Sequence, residues 1–322
     1  MKYLNVWKDI HPKINKNGIE YFINFLIDYS KVEPIGLMCA EEASLHKFIP
    51  FLDNENFLNI KNIHVVNGGY DTNYYNTFFN NFTNITQECW PLYFLYETFY
   101  HNTFDPTHNK IDRLFLCMNY RPRLHRKKLL DELSKANLLK NNYFTWHDPK
   151  YNDNFTPDFD EGDYNWKYWI PEKTILNTTW DQYAPPLEIY KSAISLITES
   201  FLHCPFVTEK TWNAIISKRP FIILGAPGIH NYLESLGFIL SDEIDYSFDK
   251  IVDNDDRIKA IVRELQRLNC LDIQEFFQKT VQVNEHNYCN AIKIIKSEKH
   301  SIHVAEHYKN IIERTRYKIN EL

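Results

Sequence analysis

The chain alternates short apolar runs with polar turns, a pattern typical of buried strands joined by loops and helices. In the first hundred residues, Pro34–Ala40 and Ile63–Tyr70 are runs of this kind and predict strands. The second ends in Gly68-Gly69, which permits a tight turn where backbone approaches a ligand. The run Trp90–His101 is apolar throughout, so its periodicity fits a strand or a buried helix.

Strand-like and helix-like segments alternate more regularly after Ile111. The segment from Arg113 predicts a strand, a basic loop and a helix that ends at Lys140–Asn142. Further strands are predicted at Tyr143–Asp148, Ser192–Ser200 and Arg219–Pro227, with helices at Phe206–Lys218 and Ile229–Phe238 and a Gly237 cap. The last segments are helical, with Asn254 as a plausible N-cap. This order is that of a doubly wound α/β domain.

Length and charge narrow the class of protein. A chain of 322 residues with 44% hydrophobic residues predicts about two domains of a folded protein. The net charge of −6 excludes a basic surface over the whole molecule, but not a local basic patch. The sequence contains no CxxC pair, no apolar run long enough for a membrane span and no secretory signal, so we expect a cytoplasmic protein, or a host-cytoplasmic one if it is viral.

A dense cluster of cations follows the strand that begins near Ile111. Between Lys110 and Lys128 lie seven Lys or Arg residues and a histidine against one acid, Asp112. The loop precedes a helix N-terminus at the carboxyl edge of the sheet, where open α/β domains bind ligands. Because cations oppose the helix dipole there, the cluster indicates a bound anion, either a nucleotide diphosphate or a nucleic-acid backbone, unless it is only a solvated helix start.

The segment Ile194–Gly228 carries a second candidate site. Glu199 and Ser200 end a strand at the same sheet edge, and Thr208-Glu209-Lys210 opens the next helix with Thr208 as N-cap. A carboxylate at this place can accept two hydrogen bonds from ribose hydroxyls, and a lysine can reach a diphosphate. The alternative is a capped helix between two core strands.

The stretch FVTEKTWNAIISKRPFIILGAPG resembles the donor-binding motif of α1,3-fucosyltransferases, in which (Y/F)VTEK precedes an NAL helix and a PVVLG.P strand. ITES resembles that family's ENS segment, without the Asn, and LFLCMNYRPRLHRKKLLDEL is similar to its strand-loop-Arg-helix element. The region 110–265 also looks like virus- and phage-encoded glycosyltransferase-like proteins, whereas the first hundred residues match no family we can name.

The resemblance implies a GT-B fold, in which two Rossmann-like domains face a cleft and C-terminal helices cross back. We therefore predict an acceptor-side domain at 1–108, a nucleotide-sugar-binding domain at 109–285, and helices at 286–322 that pack on the first domain. The implied activity is inverting, metal-independent transfer of a sugar from a GDP- or UDP-sugar to a hydroxyl, with no metal and no cofactor beyond that donor. Asp253-Asn254-Asp255 has the spacing of a metal-binding DxD but fits a helix cap better.

Residue roles follow from the same resemblance. Glu209 would hold the donor ribose, Lys210 and Arg126 the diphosphate, and Glu199 a sugar or ribose hydroxyl. The remaining donor-binding candidates lie in the same two loops and the turn after the last strand: Asn119, Arg121, Arg123, Ser200, Thr208 and Gly225. An inverting reaction needs a general base, for which the candidates, in order, are Glu42, Glu41 and Asp71.

The acceptor is left open by the sequence. We expect a glycan or another small hydroxyl acceptor, and the alternative is a hydroxymethylated base of viral DNA, which would make the protein a DNA-modifying enzyme. A third hypothesis is a non-catalytic nucleotide- or nucleic-acid-binding protein.

Overall fold

The computed structural model describes residues 2–6, 16–39, 60, 62–80, 82–101, 111–119, 123–145, 187–297 and 306–320. Those residues form two compact units. The first comprises Met1–Tyr100, Cys204–Val207 and Ile294–Leu322, and the second comprises His101–His203 and Thr208–Lys293. The domain boundaries predicted at 108 and 285 stay predictions.

The first unit is built on a parallel sheet of four strands in the order β1-β2-β3-β4: Lys2–Asn5, Ile35–Cys39, Ile63–Asn67 and Ile85–Cys89. Helix α1 (Ile19–Ser30) precedes β2, α2 (Thr72–Phe79) precedes β4, and α3 (Tyr93–His101) follows β4. The predicted strands at Pro34 and Ile63 are therefore confirmed, and the ambiguous run after Trp90 is a helix. Since every residue from Leu92 to Phe99 is buried, its sequence has no polar face that reveals the helical period.

The second unit contains a parallel sheet in the order β6-β5-β7-β8, formed by Tyr143–Phe144, Arg113–Cys117, Ser192–Thr198 and Phe221–Leu224. Helix α4 (Leu124–Lys135) follows β5, a 3₁₀ turn (Leu187–Lys191) leads into β7, α5 (Glu209–Ile216) joins β7 to β8, and α6 (Ile229–Ser235) follows β8. A second 3₁₀ turn (Tyr246–Lys250) and helices α7 (Asn254–Asn269) and α8 (Ile273–Ser297) complete this part of the chain. The α/β class with two parallel sheets is thus confirmed.

The strand order of the second sheet reverses direction between β5 and β7. From β5 the chain passes through α4 to one neighbour, whereas from β7 it passes through α5 to the other. Because crossovers between parallel strands are right-handed, such a reversal sets the two helices on opposite faces and leaves a crevice at the carboxyl ends of the two central strands. This is the doubly wound arrangement that the sequence predicts.

Helix α9 (Glu306–Asn320) packs on α3 within the first unit. The Tyr308 ring meets Tyr93 edge-on, with 4.8 Å between centroids, and Thr315 Oγ1 donates to the Tyr96 carbonyl at 3.1 Å. Lys318 Nζ donates to the Tyr100 carbonyl at 2.9 Å. Among the described helices, none is long and apolar enough to cross a membrane. The cytoplasmic location stays a prediction.

Three details of helix termini differ from the sequence expectations or refine them. Helix α4 ends at Lys135, five residues before the predicted end, because Asn137 takes a left-handed φ of 57° and the Leu138 amide donates back to Leu133. Helix α7 is capped by the Asp253 side chain, which accepts from the Asp256 amide, so the prediction of Asn254 as N-cap is wrong by one residue. The predicted Gly237 cap is confirmed by its φ of 84°.

Candidate functional site

The carboxyl ends of β5, β7 and β8 bring most of the sequence-predicted donor-binding residues to one edge of the second sheet. Asn119 and the start of α4 follow β5, Glu199 and Ser200 follow β7, and Gly225 follows β8. Arg121 lies outside the described residues. Ligands of doubly wound sheets bind at the point where the strand order reverses, so this edge is the candidate site.

Asn119 ties the ends of neighbouring strands together. Its side chain is fully buried, and its Oδ1 accepts a 2.6 Å hydrogen bond from Thr198 Oγ1 at the end of β7. Its backbone amide donates to Thr145 Oγ1 at 2.8 Å, just after β6. Asn119 therefore holds three strand ends in register at the site, and its predicted contact with a donor stays a prediction.

The start of α4 buries cations at the end of β7. Arg126 is 2% exposed, and its Nη2 donates to the carbonyls of Thr198 and Glu199 at 3.3 and 3.5 Å. Burial, together with the nearby Arg123 cation, lowers the pKa of Arg126 to about 9. The Arg123 guanidinium lies 4.8 Å from the centroid of the Phe201 ring. The charges of Glu209 and Glu199 act in the opposite direction and favour charged Arg126, as a bound anion also would.

His125 lies beside this pair and is held neutral. Its Nε2 makes a 3.0 Å hydrogen bond with the Glu199 carbonyl, which requires the proton on that nitrogen. Burial and the charges of Arg126 and Arg123 hold the pKa of His125 well below 6.5.

The predicted basic cluster does not act as one patch. Lys127 Nζ pairs with Asp131 at 2.6 Å on α4 itself, and Lys128 Nζ pairs with Asp255 of α7 at 2.7 Å. These two lysines thus have carboxylate partners on the helix surface, whereas Arg126 is directed to the strand ends. Lys110 lies outside the described residues.

Glu199 has a fully buried carboxylate. Its Oε1 and Oε2 lie 3.1 and 3.2 Å from the Thr208 amide, which donates to them, and Oε1 accepts a 2.8 Å bond from Thr211 Oγ1. Burial raises the pKa of Glu199, and the Lys210 charge and these hydrogen bonds partly oppose the rise.

Thr208, Glu209 and Lys210 form the start of α5. Thr208 is its N-cap, as predicted, and accepts from the Lys210 amide at 3.4 Å. Lys210 Nζ donates to Glu209 Oε1 at 3.0 Å and to Thr208 Oγ1 at 3.4 Å. All three side chains are almost fully buried, so an acid, a cation and a helix N-terminus share one confined place.

The space around Gly225 is tight. A Cβ at this position would lie 2.9 Å from Ile229 Cδ1 and 3.3 Å from Glu199 Cγ. Any larger residue would therefore push against the side chain that meets the start of α5. Ser200 is half-buried in the loop after β7.

The predicted general bases belong to the first unit. Glu42 and Glu41 lie outside the described residues. Asp71 is exposed and caps α2, accepting from the amides of Asn73 and Tyr74 at 3.0 and 3.1 Å. The space beside Gly69, which we expected to admit a ligand, is taken by the Tyr75 ring, because a Cβ there would lie 1.8 Å from Tyr75 Cε2.

Arg257 and Glu97 are among the buried polar groups that sequence reasoning missed. Arg257 is 1% exposed and donates to the carbonyls of Gly225 and Ile251 at 2.9 and 2.6 Å. A cation in the first turn of a helix is unfavourable because of the helix dipole, and this unusual position was the feature of the sequence that could have identified Arg257. In the first unit, Glu97 is buried on α3 and accepts a short hydrogen bond from the Tyr93 hydroxyl. No polar spacing marks Glu97 in the sequence.

Within the ranges that the structure describes, no three His, Cys, Asp or Glu side chains gather as a metal site requires. The expectation of metal-independent chemistry with no cofactor beyond the donor stays a prediction.

Comparison with known proteins finds a match only among solved structures. No protein-family model matches the chain, and no curated protein matches it. The DNA-modifying enzyme β-glucosyltransferase, solved with and without uridine diphosphoglucose, is 14% identical, with a TM-score of 0.38 over 94% of this chain and 79% of that one. T4 phage BGT with UDP and Mn²⁺ is also 14% identical, with a TM-score of 0.39 over 91% of this chain and 77% of that one. Similarity at this level carries no functional argument, and the resemblance to fucosyltransferases stays a prediction.

Proposed function

We propose that the protein is a glycosyltransferase that moves a sugar from a nucleotide-diphosphate donor to a hydroxyl acceptor. The observation that carries this proposal is the burial of Arg126 beside Arg123, at the edge where the strand order reverses. A diphosphate would add its negative charge to that of the Glu209 and Glu199 carboxylates, which already favour the charged form of Arg126, and guanidinium binds phosphate oxygens in pairs.

The start of α5 supplies the other half of the donor site. Lys210 is suited to the diphosphate, and Glu209, 3.0 Å from its Nζ, to the vicinal hydroxyls of the ribose. When the bond between the sugar and the diphosphate breaks, negative charge develops on the leaving oxygen. Fixed cations in a low-dielectric environment stabilise that charge, so Arg126 and Lys210 would make the largest contribution to the transfer step.

Inversion requires a base that takes the proton from the acceptor hydroxyl. Glu42, Glu41 and Asp71 remain the candidates in that order. The acceptor classes are a glycan and a hydroxymethylated base of DNA, the second being that of a DNA-modifying enzyme such as those compared above.

Donor binding is tested by calorimetry with UDP and GDP, separately, on the wild-type protein and on Arg126→Met and Glu209→Gln. The loss of one charged hydrogen bond should weaken binding by about 10- to 100-fold. Arg263→Met is the matched control, because Arg263 is exposed on α7, and it should bind as the wild type does. If neither nucleotide binds the wild-type protein, the proposal is wrong.

Transfer is tested by incubating the protein with UDP-glucose or GDP-fucose and two acceptors in parallel, duplex DNA containing hydroxymethylcytosine and a set of soluble glycans. Release of UDP or GDP that depends on one acceptor identifies its class. Activity that survives EDTA supports metal independence, and the product anomer reports inversion. Nucleotide binding with no transfer to any acceptor would favour the non-catalytic hypothesis.

A further inference from the structure

Glu199 stands where three elements of the second unit meet. Its backbone amide donates to the Leu224 carbonyl of β8 at 2.9 Å, and its backbone carbonyl accepts from His125 of α4 at 3.0 Å. The main chain at this residue is therefore held from both sides. Because the backbone is fixed, the Glu199 carboxylate can reach only a limited set of positions.

The Glu199 carboxylate contacts the first turn of α5. The Glu199 carboxylate accepts from the amide of Thr208, the N-cap residue, and from the hydroxyl of Thr211. The amides at a helix N-terminus have no partner inside the helix, and a carboxylate there is also favoured by the dipole. Glu199 thus fixes the start of α5 from outside the helix.

The surroundings of Glu199 leave little access for a ligand. Its side chain is 0% exposed, and Gly225 approaches so closely that a Cβ there would be 3.3 Å from Glu199 Cγ. Thr211, its hydroxyl partner, is also 0% exposed. A sugar hydroxyl would have to displace one of these internal hydrogen bonds to reach the carboxylate.

We propose that Glu199 is a positioning residue: through Thr208 and Thr211 it orients the start of α5, so that Glu209 faces the ribose and Lys210 the diphosphate of the nucleotide. This inference rests on the proposed function and changes one part of it, since the fucosyltransferase resemblance implies direct contact between Glu199 and the donor. The two roles are separable, because direct contact with the transferred sugar would spare a nucleotide that lacks that sugar, and direct contact with the ribose would not depend on Thr211.

The experiment compares Glu199→Gln, Thr211→Val and Thr211→Ser by calorimetry, with bare UDP or GDP and with the corresponding UDP-glucose or GDP-fucose. A positioning role predicts that Glu199→Gln and Thr211→Val each weaken bare nucleotide and nucleotide sugar to the same extent, by about tenfold or more. Thr211→Ser keeps the hydroxyl and should stay within about twofold of wild type. Because Glu199 acts through Thr211, the double variant Glu199→Gln with Thr211→Val should lose less than the product of the single losses.

Other outcomes overturn the inference. If Glu199→Gln weakens only the nucleotide sugar and leaves bare nucleotide unchanged, Glu199 contacts the sugar directly. If Thr211→Val binds as well as Thr211→Ser, the connection through α5 is absent, and this pair decides the matter even if Glu199→Gln does not fold. If the wild-type protein binds no nucleotide, the proposed function itself is wrong. Failure of the positioning role is distinguishable from this, because it would appear only in the variants, with a wild-type protein that binds nucleotide.

Discussion

Arg257 offers the sharpest test of how the site edge is held. Its guanidinium bonds the Gly225 carbonyl at 2.9 Å, the Ile251 carbonyl at 2.6 Å and Asn254 Oδ1 at 2.6 Å, and the side chain is 1% exposed. We expect Arg257→Met to keep the packing of the aliphatic stem and to remove every one of these hydrogen bonds.

The magnitude depends on which acceptors water can reach afterwards. Asn254 is exposed and Ile251 is half-buried, so water replaces the arginine there and each loss is small. Gly225 is buried, and its carbonyl would be left without the charged donor. A buried acceptor deprived of its partner costs about 1–3 kcal/mol, and the two outer bonds add about 1 kcal/mol together, so we expect about 3 kcal/mol in all.

The assay is urea denaturation followed by circular dichroism, with hydrogen exchange of the peptides that cover 221–228 and 251–258. A loss of 3 kcal/mol should move the midpoint by about 1 M urea at an unchanged slope, and should raise exchange in both peptides. Arg263→Met, an exposed arginine of the same helix, should change stability by less than about 0.5 kcal/mol. Equal midpoints for the two variants would refute the reasoning.

Three further predictions concern other parts of the chain. The pKa of His125 is lowered in the folded protein, so neutral His125 contributes its full stability above pH 6.5, the ordinary pKa of histidine, and this stability is lost as the pH falls below 6.5, at up to about 1.4 kcal/mol per pH unit. Urea titrations at several pH values should show that this loss disappears in His125→Gln. A pH profile that is the same in the variant and the wild type would contradict the prediction. Gly69→Ala should destabilise the first unit by about 3 kcal/mol or more, because the added methyl would lie 1.8 Å from the Tyr75 ring. Gly228→Ala has open space around it but a φ of 83°, so it should cost only about 1–2 kcal/mol. Equal shifts of the melting temperature in the two variants would disprove the steric argument. Asp71→Asn should keep the cap of α2 and therefore the stability, whereas Asp71→Ala should lose about 1 kcal/mol of stability. If Asp71 is the general base, Asp71→Asn should also lower the transfer rate by about 100-fold or more. Full activity of that variant would remove Asp71 from the candidates.

The sequence predicted best where one local rule governs the structure. Buried strands such as Phe221–Leu224 are uninterrupted apolar runs, and Thr208 caps its helix because its hydroxyl can accept from a backbone amide. The end of α4 was missed because Leu138 and Leu139 continue the helical apolar spacing. Asn137, which tolerates the left-handed conformation, was the only local sign of the stop.

Two interpretations failed because the side chain that makes the contact cannot be identified from the pattern of residues. The cations of the basic loop looked equivalent, yet Lys128 pairs with Asp255, which is 127 residues away. Gly69 looked open to a ligand, yet Tyr75 packs against it. Tertiary packing decides which side chains meet, so neither outcome was predictable from spacing.

By itself, then, the sequence determined the α/β class, the alternation of strands and helices and the residue types at the carboxyl edge, because apolar runs, caps and glycines act over a few residues. Only the tertiary structure decided what those residues do there. Glu199 shows the difference: its place after β7 follows from the pattern, but its carboxylate meets α5 because β8 and α4 fix its main chain from either side. Burial then makes those hydrogen bonds costly to break, and such burial is set by the packing of elements from across the chain.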